Sequence, residues 1–259
     1  MKKILIILVG LILINFKSLA DNFIKYGIDE NTRPEDYSLV DDPTSTYGKV
    51  HAFKISSQCG KIKRKKQDDI IGNIGDSDCS ENSVRSEIYE EVWEDERPGD
   101  DQPFHRWYSW NVYLPSNFPI QESGKLLLGQ FHNSECPHLS FTSLGGSDNG
   151  KIYYETMKLW KGDCKATVRK EITSIQKLRG NWTNFTLEMK WSNDKLGVAN
   201  LWLNGDQVLA HKGVTLTLQK EHTNFLKVGI YQCCNSKLIK PANALFTTPK
   251  SGPTRESVN

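Results

Sequence analysis

The chain has 259 residues and a formal net charge of +2, with 33 Lys and Arg against 31 Asp and Glu. This near balance excludes the strongly basic surface of a nucleic-acid-binding protein, so a site for an anionic ligand must be local. The length suits one all-β domain, and neither an internal repeat nor a linker divides the sequence. We therefore expect a single domain with no nucleic-acid partner.

The first 20 residues, MKKILIILVGLILINFKSLA, combine a basic start, a long run of isoleucine, leucine and valine, and a small-x-small ending at Ala20. This pattern is typical of a secretory signal peptide, with a retained membrane anchor as the alternative. We predict a signal peptide at 1–20, cleaved after Ala20, and one mature domain at 21–259. Location would be secreted or periplasmic, without membrane attachment. The mature domain would carry 30 basic and 31 acidic residues, a net charge of about −1.

Most of the mature chain has the pattern of short strands. Residues 21–47 are polar and form a lead-in with room for one early strand. Alternating or β-rich runs then predict strands at 49–56, 84–92, 107–115, 126–132, 151–160, 164–172, 183–191, 198–203, 207–209 and 224–232. Asn204-Gly205-Asp206 predicts a hairpin between two of them. The tail beyond Ile239 is expected to be ordered only in part.

No run has the period of a convincing helix. Many short strands at regular spacing are typical of an all-β sandwich. We therefore predict an all-β fold, a single-domain β-jelly-roll sandwich of the concanavalin-like type.

Six cysteines are present, an even number that favours disulfides in an exported protein. They are Cys59, Cys79, Cys136, Cys164, Cys233 and Cys234. The sequence cannot choose their connectivity, although a pairing of Cys59 with Cys79 would close a loop around a basic run. No CxxC pair or His-x-x-x-His spacing accompanies them, so we predict no metal site among the cysteines.

Two charged segments have more than one interpretation. KIKRKK at 61–66 is either a solvated loop or a basic lip that attracts an anionic polymer. The acidic segment 90–101 is either a solvated loop or a site for structural calcium, although it lacks the spacing of an EF-hand. We expect no required cofactor and leave structural calcium open.

Three predicted strands carry polar side chains at alternate positions, which places each pair on one face of its strand. The pairs are Arg85 and Glu87, Gln130 and His132, and Lys227 and Tyr231. On the middle strand, Leu127 and Phe131 are expected to take the other, buried face. Alone, each motif is weak, because a lone Arg-x-Glu is usually an ion pair and a lone histidine usually has a structural role.

Together these motifs resemble those of jelly-roll polysaccharide lyases. Jelly-roll alginate lyases carry an R-(S/T)-E strand, a Q-x-H strand and a late Y-F-K-x-G-x-Y-x-Q strand. This chain has RSE at 85–87, QFH at 130–132 and KVGIYQ at 227–232, in the same order. The segments WNVYLP at 110–115, GNW at 180–182, KWSNDKLG at 190–197 and WLNG at 202–205 are closer still to heparin lyase I-like lyases, a family related to glucuronan lyases.

The resemblance implies an enzyme that cleaves an anionic uronate polysaccharide by β-elimination and leaves 4,5-unsaturated ends. It implies Arg85, Gln130, His132 and Tyr231 as catalytic residues. The polar pattern and nearby aromatic residues add candidate substrate contacts, namely Lys227, Glu87, Tyr153, Trp107 and His138. We expect a monomer.

Two departures disfavour alginate as the first substrate: IYEE follows the arginine motif, and Leu226 stands where many alginate lyases have an aromatic residue. Two other functions remain open at this point. The sandwich could bind carbohydrate without cleaving it, or it could be a glycoside hydrolase. The hydrolase is less favoured because the E-x-D-x-x-E strand of hydrolases with a similar sandwich is missing.

Overall fold

The computed structural model describes residues 24–56, 83–91, 105–132, 137–160, 163–192, 194–215, 225–233 and 239–259. These residues form strands β1 Tyr26–Ile28, β2 Tyr37–Asp41, β3 Lys49–Ile55, β4 Val84–Glu90, β5 His105–Tyr113, β6 Lys125–His132, β7 Pro137–Leu144, β8 Lys151–Trp160, β9 Asp163–Ser174, β10 Trp182–Lys190, β11 Val198–Leu203, β12 Asp206–Lys212, β13 Phe225–Cys233, β14 Ala242–Phe246 and β15 Lys250–Gly252. Helical structure in the described part is limited to the 3-10 turns Pro34–Asp36 and Gly146–Asp148 and one α-helical turn, Ile175–Leu178.

The strands form two antiparallel sheets. The seven-stranded sheet has the order β1-β4-β13-β6-β7-β8-β9. The eight-stranded sheet has the order β12-β11-β10-β5-β14-β3-β2, with β15 also paired to β5. This confirms the predicted all-β sandwich in a single domain. No helix within the described ranges is long and apolar enough to cross a membrane.

One hydrophobic core lies between the two sheets. Tyr108 and Trp110 of β5 meet Phe131 of β6 and Phe141 of β7, with ring centroids 4.8 and 5.7 Å apart respectively. These side chains are nearly inaccessible to solvent. Burial of aromatic rings of this size supplies much of the apolar surface that stabilises a sandwich.

Strand β10 shows how the sequence sets the two faces. Phe185, Leu187 and Met189 are buried in the core, whereas Glu188 and Lys190 alternate with them on the other face. This is the period-2 pattern of a strand with one buried face. The predicted hairpin is also present, because Asn204 and Gly205 both have positive φ, 50° and 90°.

The C-terminal tail is more ordered than the sequence suggested. Strand β14 lies between β3 and β5 in the eight-stranded sheet, and Phe246 is completely buried. The segment is ordered because β14 pairs with a strand on each side and Phe246 is buried. These are contacts with distant parts of the chain, which the local sequence does not reveal. The lead-in contains two short strands, β1 and β2, and β7 is a further strand that the sequence did not predict.

Strand β6 departs from simple alternation. Its pairing with β7 shifts register between Leu127 and Gln130, and its pairing with β13 shifts over the same region. As a result Leu126, Leu128 and Phe131 face the core between the sheets, whereas Leu127, although also buried, lies opposite Tyr231 on the other face of the sheet. The predicted placement of Leu127 with Phe131 was wrong, because an irregularity of one residue moves the following side chains to the opposite face.

The disulfide framework stays a prediction. Cys233 at the end of β13 is disulfide-bonded. Cys59 and Cys79, the favoured pair, lie outside the described residues, as do the basic run at 61–66 and residues 92–101 of the acidic segment.

Candidate active site

The three polar motifs lie on neighbouring strands of the seven-stranded sheet, because β13 is paired with β4 on one side and β6 on the other. Tyr231 is directly opposite Arg85, and Lys227 is directly opposite Gln130. Directly opposite residues in antiparallel strands share a face. Leu226, Val228 and Ile230 fill the core side of β13, so the motifs face away from the core. We call this surface the polar face.

Arg85 and Tyr231 form the closest contact between two motifs. The guanidinium carbon of Arg85 lies 4.0 Å from the centroid of the Tyr231 ring. The same guanidinium is 3.6 Å from a carboxylate oxygen of Glu87 and 3.9 Å from one of Asp29. Arg85 therefore holds a fixed position, with its positive charge beside the phenol.

Glu87 holds the amide of Gln130. The Nε2 atom of Gln130 donates to the two carboxylate oxygens of Glu87, at 2.9 and 3.3 Å. Glu87 is 0% exposed, and Gln130 is 1% exposed. Burial raises the pKa of the Glu87 carboxyl, although Arg85 and Lys227 act against this shift. A fully buried carboxylate next to these donors sets their orientation.

Asp29 is a component of the network that the sequence analysis missed. Its carboxylate accepts a 2.6 Å hydrogen bond from the ammonium of Lys227, and both side chains are buried. Burial alone would raise the pKa of Asp29, but the ammonium of Lys227 and the guanidinium of Arg85 lower it below its usual value. No local pattern in the polar lead-in distinguishes Asp29; only the folded chain shows its role.

The N-terminal loop is fastened to β4 by the backbone around Glu87. The amide of Asp29 donates to the carbonyl of Glu87 at 3.0 Å, and the hydroxyl of Thr32 accepts from the amide of Glu87 at 2.9 Å. The Thr32 hydroxyl also donates to the Glu87 carbonyl at 3.2 Å. These bonds hold the Asp29 carboxylate against Lys227.

Gly229 lies between Lys227 and Tyr231, opposite Glu87. Its φ is +145°, and a Cβ there would be 2.2 Å from the carbonyl oxygen of Ser86 and 2.7 Å from the Cα of Glu87. Only glycine fits this close approach of β13 to β4. Because glycine has no side chain, no side chain projects from β13 at the middle of the polar face.

His132 lies at the other end of the polar face from Tyr231. Its Cα is opposite Phe225, and the two ring centroids are 6.0 Å apart. The order along β13 is therefore Phe225 beside His132, Lys227 beside Gln130, Gly229, and then Tyr231 beside Arg85. A ligand that contacts both His132 and Tyr231 has to span the row between them.

The polar face continues over β7, β8 and β9. The hydroxyls of Ser140 and Thr142 are 2.7 Å apart, and Glu155 accepts a 2.5 Å hydrogen bond from Arg169. Tyr153 lies opposite Thr142. Ser140, Thr142 and Glu155 are themselves buried, so they position their neighbours. The groups that a sugar can reach on these strands are the partly exposed guanidinium of Arg169 and the ring of Tyr153.

A family model described as polysaccharide lyase matches residues 29–253. The chain belongs to the polysaccharide lyase family. It is a polysaccharide lyase, and its substrate is a polysaccharide. This confirms the family and the enzyme class that the three motifs suggested. No curated protein sequence matches the chain.

Solved structures with the same fold have low sequence identity to this lyase. Endo-β-1,4-glucuronan lyase from the fungus Trichoderma reesei has a TM-score of 0.64 and 16% identity, over 91% of this chain and 98% of that chain. A family 7 alginate lyase has a TM-score of 0.54 and 14% identity, over 85% and 84%. A botulinum neurotoxin type C chain has a TM-score of 0.51 and 8% identity, over 91% of this chain and 45% of that chain. At such identities the likeness shows the fold, and the site must supply the chemistry.

Two predicted substrate contacts of the lyase need correction. Trp107 lies on β5 in the eight-stranded sheet and stacks on Trp202, with 5.3 Å between centroids, so it is not part of the polar face. Glu87 is completely buried, and its carboxylate oxygens face the amide of Gln130 and the guanidinium of Arg85, so it positions these two groups instead of contacting a ligand. The two errors have different causes: an aromatic strand does not reveal the sheet to which it belongs, and alternation does not show how deeply a side chain lies.

The remaining predicted contacts of the lyase have different outcomes. Tyr153 and Lys227 are on the polar face, the latter held by Asp29. His138 belongs to β7, but its side chain lies outside the described residues. No group of three or more His, Cys, Asp or Glu residues that could hold a metal occurs in the described ranges.

Proposed function

We propose that this polysaccharide lyase is an exported enzyme that cleaves a uronate polymer by β-elimination and needs no cofactor. The observation that carries the proposal is the contact of Arg85 with Tyr231, on the same face as the Glu87–Gln130 pair. A polymer of glucuronate is the first choice. The glucuronan lyase is structurally similar over 98% of its chain, and the sequence departs from alginate lyases at Leu226.

The difficult step in this reaction is removal of the proton from C5 of the uronate. The carboxylate attached to C5 already carries a negative charge, and the electron pair left by the proton adds to it. Arg85 provides a guanidinium for this carboxylate, and Gln130 provides an amide donor. An amide nitrogen carries two hydrogens, so the bond to Glu87 orients the group without exhausting its donors. Each donor of this kind commonly contributes about 2.7–4 kcal/mol to transition-state stabilisation.

Proton transfer completes the reaction. The base takes the C5 proton, the electron pair forms the C4=C5 double bond, the bond from C4 to the glycosidic oxygen breaks, and the acid protonates that oxygen. We assign Tyr231 as the acid, because the guanidinium of Arg85 beside its ring stabilises the phenolate left after donation. Tyr231 also acts as the base when the C5 proton and the leaving oxygen on C4 lie on the same side of the sugar ring, that is, in a syn elimination. His132 neutralises the carboxylate, or acts as base for the opposite epimer.

The first experiment adds glucuronan, alginate and a heparin-like polymer separately to the purified mature protein. Unsaturated ends absorb ultraviolet light, so absorbance should rise with at least one uronate polymer, glucuronan first. Absence of a rise with all three would refute the proposal. New reducing ends without ultraviolet absorbance would indicate hydrolysis instead.

Two substitutions test the assigned roles. Tyr231→Phe keeps the ring on which Arg85 lies but removes the acid, and His132→Ala removes the imidazole. Each should abolish the ultraviolet signal. Tyr113→Phe is the matched control, because Tyr113 lies in the eight-stranded sheet. Full activity of both Tyr231→Phe and His132→Ala would show that the role assignments are wrong.

A further inference from the structure

A second polar surface lies on the opposite side of the molecule from the polar face. It is a cavity of about 690 Å³ on the outer side of the eight-stranded sheet, within the usual size range of ligand sites. Ser109 and Asn111 of β5 form part of its floor, and they alternate with Tyr108 and Trp110 of the core. This surface contains none of the residues assigned to the lyase reaction.

The cavity arises because the strand partner of β5 on the side away from β10 is interrupted. Strand β14 pairs with β5 at Tyr113 and Val112, and β15 pairs with it at Ser109, Tyr108 and Trp107. Residues 247–249 lie between the two paired segments. Thr247 remains attached to β5, since its amide donates to the carbonyl of Asn111 at 3.1 Å and its hydroxyl accepts from the amide of Asn111 at 2.9 Å.

The floor is a preorganised network of amides and hydroxyls. The side-chain nitrogen of Asn184 donates to the hydroxyl of Ser109 at 3.0 Å and to the side-chain oxygen of Asn111 at 3.2 Å. Thr186 donates to the side-chain oxygen of Asn184 at 2.7 Å. Amides and hydroxyls both donate and accept, as sugar hydroxyls require, and these are held in position before a ligand arrives.

Aromatic residues flank this floor at both ends. Trp182 packs against Tyr47 and Tyr113, with centroids 4.9 and 5.5 Å apart. At the other end Trp107 stacks on Trp202. The outward-facing side chains of β5 are therefore, in order, aromatic, amide, hydroxyl and aromatic: Tyr113, Asn111, Ser109 and Trp107. At about 3.3 Å per residue of strand, this row is about 20 Å long. Aromatic faces pack on pyranose rings, and such a row suits several sugar units.

Two lysines give the cavity a positive rim. Lys49 and Lys250 both line it; the ammonium of Lys49 pairs with the exposed carboxylate of Asp41 at 2.7 Å, and that of Lys250 donates to the carbonyl oxygen of Asn259 at 3.1 Å. An exposed ion pair of this kind is weak, so a ligand carboxylate can replace Asp41. Among the described residues that line the cavity there is no Asp, Glu, His or Cys, which suits binding without cleavage.

We propose that this cavity is a non-catalytic site for an oligosaccharide segment that carries carboxylates. The floor of Ser109, Asn111 and Asn184 binds hydroxyls, and Lys49 and Lys250 bind a carboxylate. A polymer held on this side remains near the enzyme while another part of the same chain occupies the polar face. The choice of a uronate ligand rests on the function proposed above, whereas the binding of sugar by the cavity does not.

The test uses isotope-labelled mature protein with the substitution Tyr231→Phe, so that ligand is not consumed. Two tetrasaccharides are added separately, one of glucuronate and one neutral gluco-oligosaccharide. The signals followed by NMR are the indole N–H of Trp182, identified by its loss in Trp182→Phe, and the side-chain amide of Asn184. We expect saturable shifts with the glucuronate ligand, and weaker binding of the neutral one.

Variants connect the shifts to the cavity. Lys250→Ala should weaken the binding by about tenfold, the effect of losing one hydrogen bond to a charged group, and Asn184→Ala by about fivefold, the effect of losing a hydrogen bond between neutral groups. Lys212→Ala, an exposed lysine of the same sheet, is the matched control and should bind as Tyr231→Phe alone does. Absence of shifts, or equal shifts with both ligands, would overturn the proposal. If the wild-type protein cleaves uronate polymers but the shifts are absent, the cavity proposal is wrong and the proposed lyase function stands. If the shifts appear but the wild-type protein cleaves no uronate polymer, the proposed function is wrong and sugar binding by the cavity stands.

Discussion

The guanidinium of Arg85 lies 4.0 Å from the centre of the Tyr231 ring, and the Cα atoms of the two residues are direct partners across β4 and β13. Strand pairing therefore fixes the distance from the positive charge to the phenol. Glu87 and Asp29 hold the guanidinium from the side, at 3.6 and 3.9 Å. The flat guanidinium can stack on the ring and still present hydrogen-bond donors to a carboxylate, which the ammonium of a lysine cannot do.

Arg85→Lys should separate geometry from charge. Lysine keeps the positive charge but loses the stacked, forked group, so we expect kcat to fall by about 10²–10³-fold on a uronate polymer, as for loss of one oxyanion donor. Initial rates of unsaturated-end formation give kcat and KM. Arg255→Lys is the control and should retain wild-type kcat, because the guanidinium of Arg255 lies 4.7 Å from the ring centroid of Trp202, on the eight-stranded sheet. An unchanged kcat in Arg85→Lys would remove Arg85 from the reaction.

Much of the sandwich could be predicted from the sequence, for reasons that particular residues show. The alternation of Phe185, Leu187 and Met189 requires one buried face, and Asn204-Gly205 requires a tight turn. Such signals are local. The resemblance then placed the motifs of β4, β6 and β13 on one surface, where the structure has them.

The rest depends on contacts between distant parts of the chain. Asp29 meets Lys227 across 198 positions of sequence, and neither neighbourhood marks the pair. Leu127 changes face because of an irregularity in β6, which alternation cannot detect. Trp107 was placed at the site because its strand is aromatic, but a single strand does not reveal the sheet to which it belongs.

Gly229→Ala should destabilise the protein. The new Cβ would lie 2.2 Å from the carbonyl oxygen of Ser86, and alanine rarely adopts the φ of +145° found here. Strain of this kind costs about 1–3 kcal/mol before the clash is counted. Urea unfolding measures the free energy of unfolding. Gly48→Ala is the control, since a Cβ at Gly48 would meet nothing within 4 Å. Equal stability of the two variants would show that β13 can move away from β4 at little cost.

Asp29→Asn should reduce both stability and activity at neutral pH. The substitution leaves the buried ammonium of Lys227 without its carboxylate partner, and breaking a buried pair commonly costs about 3–5 kcal/mol. Because the pKa of Asp29 is lowered in the folded state, its contribution is present at pH values above the ordinary carboxyl pKa. It is lost as pH falls through the lowered pKa. The difference between variant and wild type should therefore shrink in acid.

Chemical unfolding of Asp29→Asn at several pH values tests this dependence. Asp41→Asn is the matched control, because Asp41 pairs with Lys49 through a side chain that is 85% exposed, and such a pair contributes little. If Asp29→Asn were as stable as Asp41→Asn at neutral pH, Asp29 would have no part in holding Lys227.

His51 gives the protein a second source of acid sensitivity, away from the polar face. Its ring is buried between Tyr26 and Phe53 and is hydrogen-bonded to Tyr37 at 3.0 Å and to Thr248 at 2.9 Å. Burial lowers the pKa of His51 from 6.5 to about 4. The folded state therefore keeps the ring neutral while the unfolded state takes up a proton. Stability that is present above pH 6.5 should be lost as pH falls toward 4.

The variant His51→Gln tests this source directly, because glutamine can keep hydrogen bonds but does not titrate. The wild-type free energy of unfolding should fall by up to about 3 kcal/mol between pH 6.5 and 4 on account of His51, and the variant should lack this part of the decline. Urea titrations of both proteins at pH 7, 5.5 and 4.5 measure the difference. The variant should be less stable than wild type at pH 7, and the gap should narrow steadily in acid. Parallel curves for the two proteins over this range would show that protonation of His51 does not couple to folding.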